Sequence, residues 1–222
     1  MSEPDFLRRT RTSYDTLADA YDVWIQGELE AKPLERALLG GFAELVLAAG
    51  GGPVADIGCG QGRVTAHLRT LGLSAFGIDL SPKMLANARR THPDLRFDEG
   101  SMTAVDAKDG VLGGIVAWYS IIHVPRERLP AVFAEFHRVL APGGYLQLGF
   151  QAGDDIAHRT EFQGHQIDLA FQRLQPDQVA DLLSEAGFVV RSRTLREPDD
   201  DGAFPERTPQ AFVLARKPPE AD

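Results

Sequence analysis

The sequence predicts an α/β fold with a mostly parallel sheet, because segments of strand character alternate with segments of helical spacing along most of the chain. The strongest signal is at residues 54–63, where a short apolar run leads into glycines at every second position and then into a helical pattern. A second apolar run ends at Asp79, and Ser81 and Pro82 then have the residue types that begin a helix. Strand, tight turn, helix and strand in this order form a βαβ unit.

The glycines of the first turn indicate a ligand site. Glycine has no Cβ and reaches positive φ at little cost, so the turn can bring backbone N–H groups against a ligand. The helix that follows points its positive N-terminal end at the same place. Asp79 ends the second strand, where a βαβ nucleotide site holds ribose hydroxyls. This context favours a nucleotide-like ligand over the alternative, a turn that only reverses the chain.

Two motifs carry a resemblance to a known family. The pattern Asp-x-Gly-x-Gly-x-Gly at Asp56, Gly58, Gly60 and Gly62 resembles the class I S-adenosylmethionine-dependent methyltransferases. A second signature of that family, Arg-Val-Leu-x-Pro-Gly-Gly before a strand, stands at residues 138–144. The two signatures occur in the order that the family fold requires.

The resemblance implies a Rossmann-like sheet of seven strands in the order 3-2-1-4-5-7-6, with an antiparallel seventh strand and helices on both faces. We expect residues 1–50 to form an N-terminal helical cap, residues 51–217 the core and residues 218–222 a tail. A short third strand is expected at residues 95–97. The polar segment 151–172 is expected to be a lid or substrate wall, with a solvated loop as the alternative.

The resemblance further implies that the protein binds S-adenosylmethionine and releases S-adenosylhomocysteine. Gly58 and Gly60 would let the methionine portion approach the backbone, and Asp56 would orient it. Asp79 would hold the two ribose hydroxyls. The predicted cofactor-binding residues are Tyr14, Tyr21, Asp56, Gly58, Cys59, Gly60, Gly62, Asp79, Leu80, Met84, Ser101, Met102 and Tyr119.

Some of the predicted cofactor-binding residues come from the N-terminal segment and from the loop after the third strand. Tyr-Asp-x-x-Ala-x-x-Tyr, from Tyr14 to Tyr21, looks like the leading helix that closes over the cofactor in many small-molecule methyltransferases. Trp24 follows on the same helical face and is expected to face the core. Ser101 stands where the family often has an aspartate beside the adenine, and its hydroxyl is a weaker acceptor than a carboxylate.

Three histidines are candidate catalytic residues. Methyl transfer from a sulfonium is a displacement at an activated carbon, so a base is required only where the acceptor loses a proton. His123 follows the fourth strand and is either a general base or a polar residue packed against the cofactor. His158 and His165 lie in the predicted lid, and our hypothesis is that one of them contacts the acceptor.

Composition excludes several partner classes. The formal net charge of −9 disfavours nucleic acid and anionic membranes, and no apolar run approaches the ~20 residues of a membrane span. The N-terminus lacks the pattern of a signal peptide, so we expect a cytoplasmic protein. The single cysteine, Cys59, predicts neither an internal disulfide nor a metal site, and a small residue near the ligand explains it better than a reactive thiol.

The sequence therefore predicts an S-adenosylmethionine-dependent enzyme that methylates oxygen, nitrogen or carbon of a small molecule, as a monomer or homodimer. An NAD-dependent oxidoreductase is a weaker alternative, because its fingerprint requires glycine where Arg63 stands. A nucleic-acid methyltransferase is disfavoured because residues 118–121 lack an Asn/Asp-Pro-Pro-Tyr/Phe motif. A protein that binds S-adenosylmethionine without turnover is a further alternative that the sequence does not exclude.

Overall fold

The computed structural model describes residues 3–220. Its helices are α1 (Asp5–Ile25), α2 (Glu28–Ala31), α3 (Pro33–Ala48), α4 (Arg63–Thr70), α5 (Pro82–Thr91), α6 (Leu129–Val139) and α7 (Pro176–Glu185). Its strands are β1 (Pro53–Ile57), β2 (Ser74–Asp79), β3 (Phe97–Glu99), β4 (Leu112–Trp118), β5 (Leu140–Gln151), β6 (Ile156–Phe162), β7 (His165–Gln172), β8 (Val189–Arg196) and β9 (Gln210–Arg216). Two short 3₁₀ turns, Ile121–His123 and Arg126–Arg128, connect β4 to α6.

Seven strands form one sheet in the order β3-β2-β1-β4-β5-β9-β8. Strands β1 to β5 pair in parallel, and β9 runs antiparallel to both of its neighbours. With the hairpin β6–β7 left out of the count, this is the predicted order 3-2-1-4-5-7-6, so the fold prediction is confirmed. The order reverses between β1 and β4, and ligands of open parallel sheets bind outside the strand ends at such a point.

Local sequence explains the central elements. All seven residues of β4 are buried, as expected for an apolar strand in the middle of a sheet covered on both faces. Helix α5 begins as predicted: the Ser81 hydroxyl accepts a hydrogen bond from the Met84 N–H at 3.1 Å, and Pro82 occupies the first turn. These two elements bring the end of β2 and the turn after β4 to the same edge of the sheet.

Two predictions about local structure are wrong. The third strand begins at Phe97 rather than at residue 95, because Phe97 to Glu99 pair with the last three residues of β2. Leu95 instead donates its N–H to the His92 carbonyl in a turn. Trp24 does not face the core: 44% of its surface is exposed, since it packs at a rim against Phe162 and Phe204.

The segment 151–172 is an antiparallel hairpin of β6 and β7 outside the main sheet, not a solvated loop. The Asp168 N–H donates to the Ser13 hydroxyl of α1 at 2.9 Å, so the hairpin rests on that helix. Its role as a lid stays a prediction, as do the boundaries of the cap and the core. The ends of the predicted cap and tail, at residues 1–2 and 221–222, lie outside the described residues. Among residues 3–220, no helix is long and apolar enough to cross a bilayer.

Candidate active site

A cavity of about 100 Å³ lies at the carboxyl ends of β1, β2 and β4, beneath α1. Predicted cofactor residues that line it are Tyr14, Tyr21, Asp56, Gly58, Cys59, Gly60, Asp79, Leu80, Met84, Met102 and Tyr119. His123 lines it as well. We call it the first cavity.

The glycine turn passes directly under the loop that follows β4. Gly58 has φ +79°, and a Cβ at this position would overlap the Ser120 Cβ and come within 2.9 Å of its Oγ. The Ser120 hydroxyl donates to the Ile57 carbonyl at 2.6 Å, which ties the two loops together. Only glycine fits this backbone conformation and this approach.

Asp79 holds the glycine turn from the end of β2. Its Oδ2 accepts from the Gly60 N–H and its Oδ1 from the Ser81 N–H, both at 2.8 Å. Loss of solvent around the carboxyl raises its pKa, and the backbone donors act in the opposite direction. The carboxylate stands at the strand end where ribose hydroxyls are expected, so its position fits that role.

Asp56 and Cys59 are buried on either side of this turn. Asp56 accepts a hydrogen bond from the Thr65 hydroxyl of α4 at 2.6 Å, and burial raises the pKa of its carboxyl to about 6. Burial also raises the pKa of the Cys59 thiol well above its usual value. The thiol is therefore protonated at neutral pH and is not a nucleophile.

His123 and Tyr14 form a hydrogen-bonded pair on the wall of the first cavity. The Nδ1 of His123 lies 3.1 Å from the carbonyl oxygen of Ala170 in β7, which can only accept, so Nδ1 carries the proton. The Nε2 therefore accepts from the Tyr14 hydroxyl at 2.8 Å. Burial lowers the pKa of His123 to about 4 and raises that of Tyr14 well above its usual value. Both side chains are neutral at pH 7.

This pair leads to a pH prediction. The folded-state pKa of His123 is below the ~6.5 of an unfolded chain, so only the unfolded state gains a proton as the pH falls from about 6.5 to 4. Wild type should therefore lose up to about 3 kcal/mol of stability relative to His123→Gln across this range. Urea unfolding at several pH values measures the difference. Parallel curves for the two proteins would contradict the neutral His123.

Four of the predicted site residues lie outside this cavity. Gly62 caps α4 at φ +85°, close to Phe97. Ser101 turns toward Thr103, whose hydroxyl is 2.8 Å from its own, while the neighbouring Met102 reaches the cavity. His158 and His165 are exposed on the hairpin.

Neither histidine lines the first cavity, and the hypothesis that one of them contacts the acceptor stays a prediction. Side chains alternate between the faces of a strand, so His158 points away from the face on which Ala157 and Arg159 line a cavity. His165 lies at the hairpin tip beside Gly164, beyond the residues of β7 that face inward.

A second cavity, of about 470 Å³, lies between α1, the hairpin and the connection from β8 to β9. The two cavities share four of their lining residues, which are Tyr14, Tyr21, Arg63 and Tyr119. A molecule in one cavity would therefore approach a molecule in the other at these side chains.

A buried charged network supports Tyr119. Glu35 of α3, which is fully buried, accepts hydrogen bonds from the Trp118 indole and the Tyr119 hydroxyl, each at 3.0 Å. Arg196 bridges Glu35 at 3.1 Å and Glu206 at 2.7 Å. Tyr119 has φ +53°, a strained value for a residue with a Cβ, and such strain is frequent at functional sites.

Sequence reasoning missed several residues of the site. Glu35 and Arg196 are far apart in the chain and carry no motif. Arg63 was noted only for not being glycine, yet it lines both cavities and pairs with Glu28 at 2.9 Å. Leu7 also lines the first cavity, and its spacing of seven residues from Tyr14 could have identified it.

An open parallel sheet with a glycine turn after its first strand and a carboxylate at the end of its second defines a nucleotide-binding α/β protein. Comparison with known proteins narrows this class. A family model described as a methyltransferase domain matches residues 54–144. The part of the chain that holds both sequence motifs is therefore similar to methyltransferase domains, as those motifs indicated.

Individual relatives agree with this similarity. An uncharacterized methyltransferase of Synechocystis is 28% identical over 151 residues, covering 63% of this chain and 68% of that protein. A demethylmenaquinone methyltransferase of Chlorobaculum parvum is 35% identical over 92 residues, covering 41% of this chain and 37% of that protein. The match to the second relative thus spans well under half of either protein.

A solved structure has the same fold over nearly the whole chain. It is the 1,6-didemethyltoxoflavin-N1-methyltransferase of Burkholderia thailandensis, with a TM-score of 0.70 and 19% identity. The alignment covers 98% of this chain and 92% of that one.

Proposed function

We propose that this protein binds S-adenosylmethionine in the first cavity and transfers its methyl group to a small molecule held in the second. The observation that carries the proposal is the meeting of the two cavities at Tyr14, Tyr21, Arg63 and Tyr119. The bound cofactor supplies a methyl group on a positively charged sulfur. The protein contributes alignment of the two molecules and exclusion of water, which lower the barrier of such a displacement.

The residues of the first cavity fit this cofactor. The Asp79 carboxylate offers acceptors for a ribose diol, and Gly60 has no Cβ to keep a ligand away from the backbone of the turn. Leu80, Met84 and Met102 offer an apolar surface for a base. The apolar surface and the carboxylate lie side by side, as an adenosine portion requires.

Binding requires α1 to move. The first cavity holds about 100 Å³, below the ~300–1,000 Å³ of pockets that take small molecules. Helix α1 closes one side of it through the Tyr14–His123 hydrogen bond and through Arg11, which donates to the Leu80 carbonyl at 3.1 Å. These two contacts would open as the cofactor enters and would form again once it is bound.

The Tyr14–His123 pair is the group best placed to receive a proton. Tyr14 lies where the cavities meet. Its hydroxyl can accept a hydrogen bond from an O–H of the small molecule to be methylated while it donates one to the Nε2 of His123. His123 replaces the exposed His158 and His165 as the candidate base. Its low pKa makes it a weak base, suited to a proton that leaves as the new bond forms.

Calorimetric titration of wild type and Asp79→Asn tests the cofactor. We expect S-adenosylmethionine and S-adenosylhomocysteine to bind at micromolar concentration and NAD to give no heat. Asp79→Asn should weaken binding at least tenfold, about 1.4 kcal/mol, because the variant loses a charged acceptor. Asp98→Asn, in the neighbouring β3 and outside both cavities, is the matched control and should bind like wild type.

Binding of NAD without the sulfonium pair would overturn the proposal in favour of an oxidoreductase. Tight binding of S-adenosylmethionine with no transfer of radiolabelled methyl to any acceptor in a broad screen would favour a protein without turnover. A cytoplasmic location and a monomeric or homodimeric state stay predictions from the sequence.

A further inference from the structure

The second cavity differs in charge from the rest of the molecule. The chain carries a net charge of −9, yet cations outnumber carboxylates on the wall of this cavity. The cations are Lys32, Arg63, Arg159, Arg173 and Arg207, and the carboxylates are Glu28 and Glu206. Clefts lined by one sign of charge concentrate ligands of the opposite sign.

Two of these cations are not neutralised by the protein. Lys32 pairs with Asp199 and Glu206, Arg63 with Glu28, and Arg173 with Asp155. Within residues 3–220, no carboxylate lies within 4.0 Å of the guanidinium of Arg159 or Arg207. These two groups can therefore bind an anion without breaking an ion pair.

The same wall is rich in aromatic side chains. Aromatic residues are 8% of the chain, but seven of them line this cavity: Tyr14, Tyr21, Trp24, Tyr119, Phe162, Phe171 and Phe204. Trp24 meets Phe162 edge to face at 5.4 Å and Phe204 at 6.4 Å. In an edge-to-face pair, the ring that contributes its edge keeps both faces uncovered by its partner, and a flat ligand can stack on such a face.

Arg159 connects the charge to the reacting end of the cavity. Its guanidinium lies 5.9 Å from the ring centre of Phe171, and Phe171 lies 4.8 Å from the ring of His123. His123 in turn holds Tyr14, which both cavities share. An acidic group on Arg159 would therefore place a flat ring between the hairpin and Tyr14.

We propose that the second cavity takes a flat aromatic acceptor that carries an acidic group, and that Arg159 binds this acidic group. The inference rests on the proposed function, because it assigns the acceptor class of the same site. Arginine suits the role because its planar guanidinium bonds a carboxylate with two N–H groups.

Three benzene probes of similar size test the inference: 4-hydroxybenzoate, neutral 4-hydroxybenzamide and cationic 4-hydroxybenzylamine. Their affinities are measured by saturation-transfer NMR on the full chain saturated with S-adenosylhomocysteine. We expect the benzoate to bind at least tenfold more tightly than the other two. Arg159→Gln should reduce its affinity to that of the amide and leave the amide unchanged.

Arg191→Gln is the matched control. Arg191 is exposed on β8 and lines neither cavity, so the variant removes the same charge from elsewhere on the surface and should bind the benzoate like wild type. Equal binding of the three probes, no binding of the benzoate, or an equal loss in both variants would overturn the inference.

The cofactor measurement separates the two proposals. Binding of S-adenosylhomocysteine is determined first for wild type and Arg159→Gln, and it should be the same in both. Failure of wild type to bind it would count against the proposed function. Normal binding together with no preference for the benzoate would overturn the acceptor class alone.

Discussion

Gly58→Ala is expected to destabilise the protein by about 2–5 kcal/mol and to abolish measurable binding of S-adenosylmethionine. A non-glycine residue in the left-handed region costs about 1–2 kcal/mol. The added methyl group would also overlap Ser120, and overpacking of this kind costs about 1–3 kcal/mol. The loop can avoid the overlap only by moving away from its place over the site.

Gly60→Ala is the matched control for stability. Gly60 also has positive φ, +55°, but no atom lies within 4 Å of the position of an added Cβ. Urea unfolding should therefore show the conformational cost alone for Gly60→Ala and the larger loss for Gly58→Ala. Adding Ser120→Gly to Gly58→Ala should recover part of the difference. Equal stability of the two single variants would contradict the argument from close approach.

Glu35→Ala is expected to cost about 3–5 kcal/mol. It would leave the Arg196 charge without one of its partners, and the Trp118 and Tyr119 donors without acceptors, in a buried place. Binding of S-adenosylmethionine should also weaken, because Glu35 holds the hydroxyl of the strained Tyr119. Thermal and urea unfolding measure the first effect and calorimetry the second.

Glu44→Ala on the same helix serves as the control, since Glu44 is exposed and its loss should change stability by less than about 0.5 kcal/mol. Replacing Glu35 and Arg196 together by leucine should cost less than the sum of the single changes, because the double variant removes both charges of this ion pair, whereas each single change leaves the other charge without one of its partners. A loss of stability below about 1 kcal/mol for Glu35→Ala would show that the hydrogen bonds and ion pair of Glu35 do not stabilise the fold as argued.

The sequence predicted well the features that depend on neighbouring residues. The glycine turn, the Ser81 cap and the apolar strand β4 are each specified by a few consecutive side chains, and they gave the sheet order together with the family resemblance. Met102 was placed at the first cavity because the loop after the third strand borders the adenine in the family that the chain resembles, and Tyr119 because it directly follows the fourth strand. A parallel sheet brings such positions to one edge whatever the helices between them contain.

The tertiary structure decided which side chains meet. Tyr14 and His123 are 109 residues apart, and Arg196 and Glu35 are 161 apart, so no local pattern could pair them. For His158 and His165, too, the local sequence did not show which side chains of the hairpin face the cavity. A change of one residue in a strand's register reverses which side chains face inward, and packing against α1 places Arg159, not His158, toward the cavity. The amino-acid sequence by itself thus determined the fold and the edge of the sheet at which the first cavity lies, because those follow from local backbone preferences. The acceptor cavity depended on long-range packing.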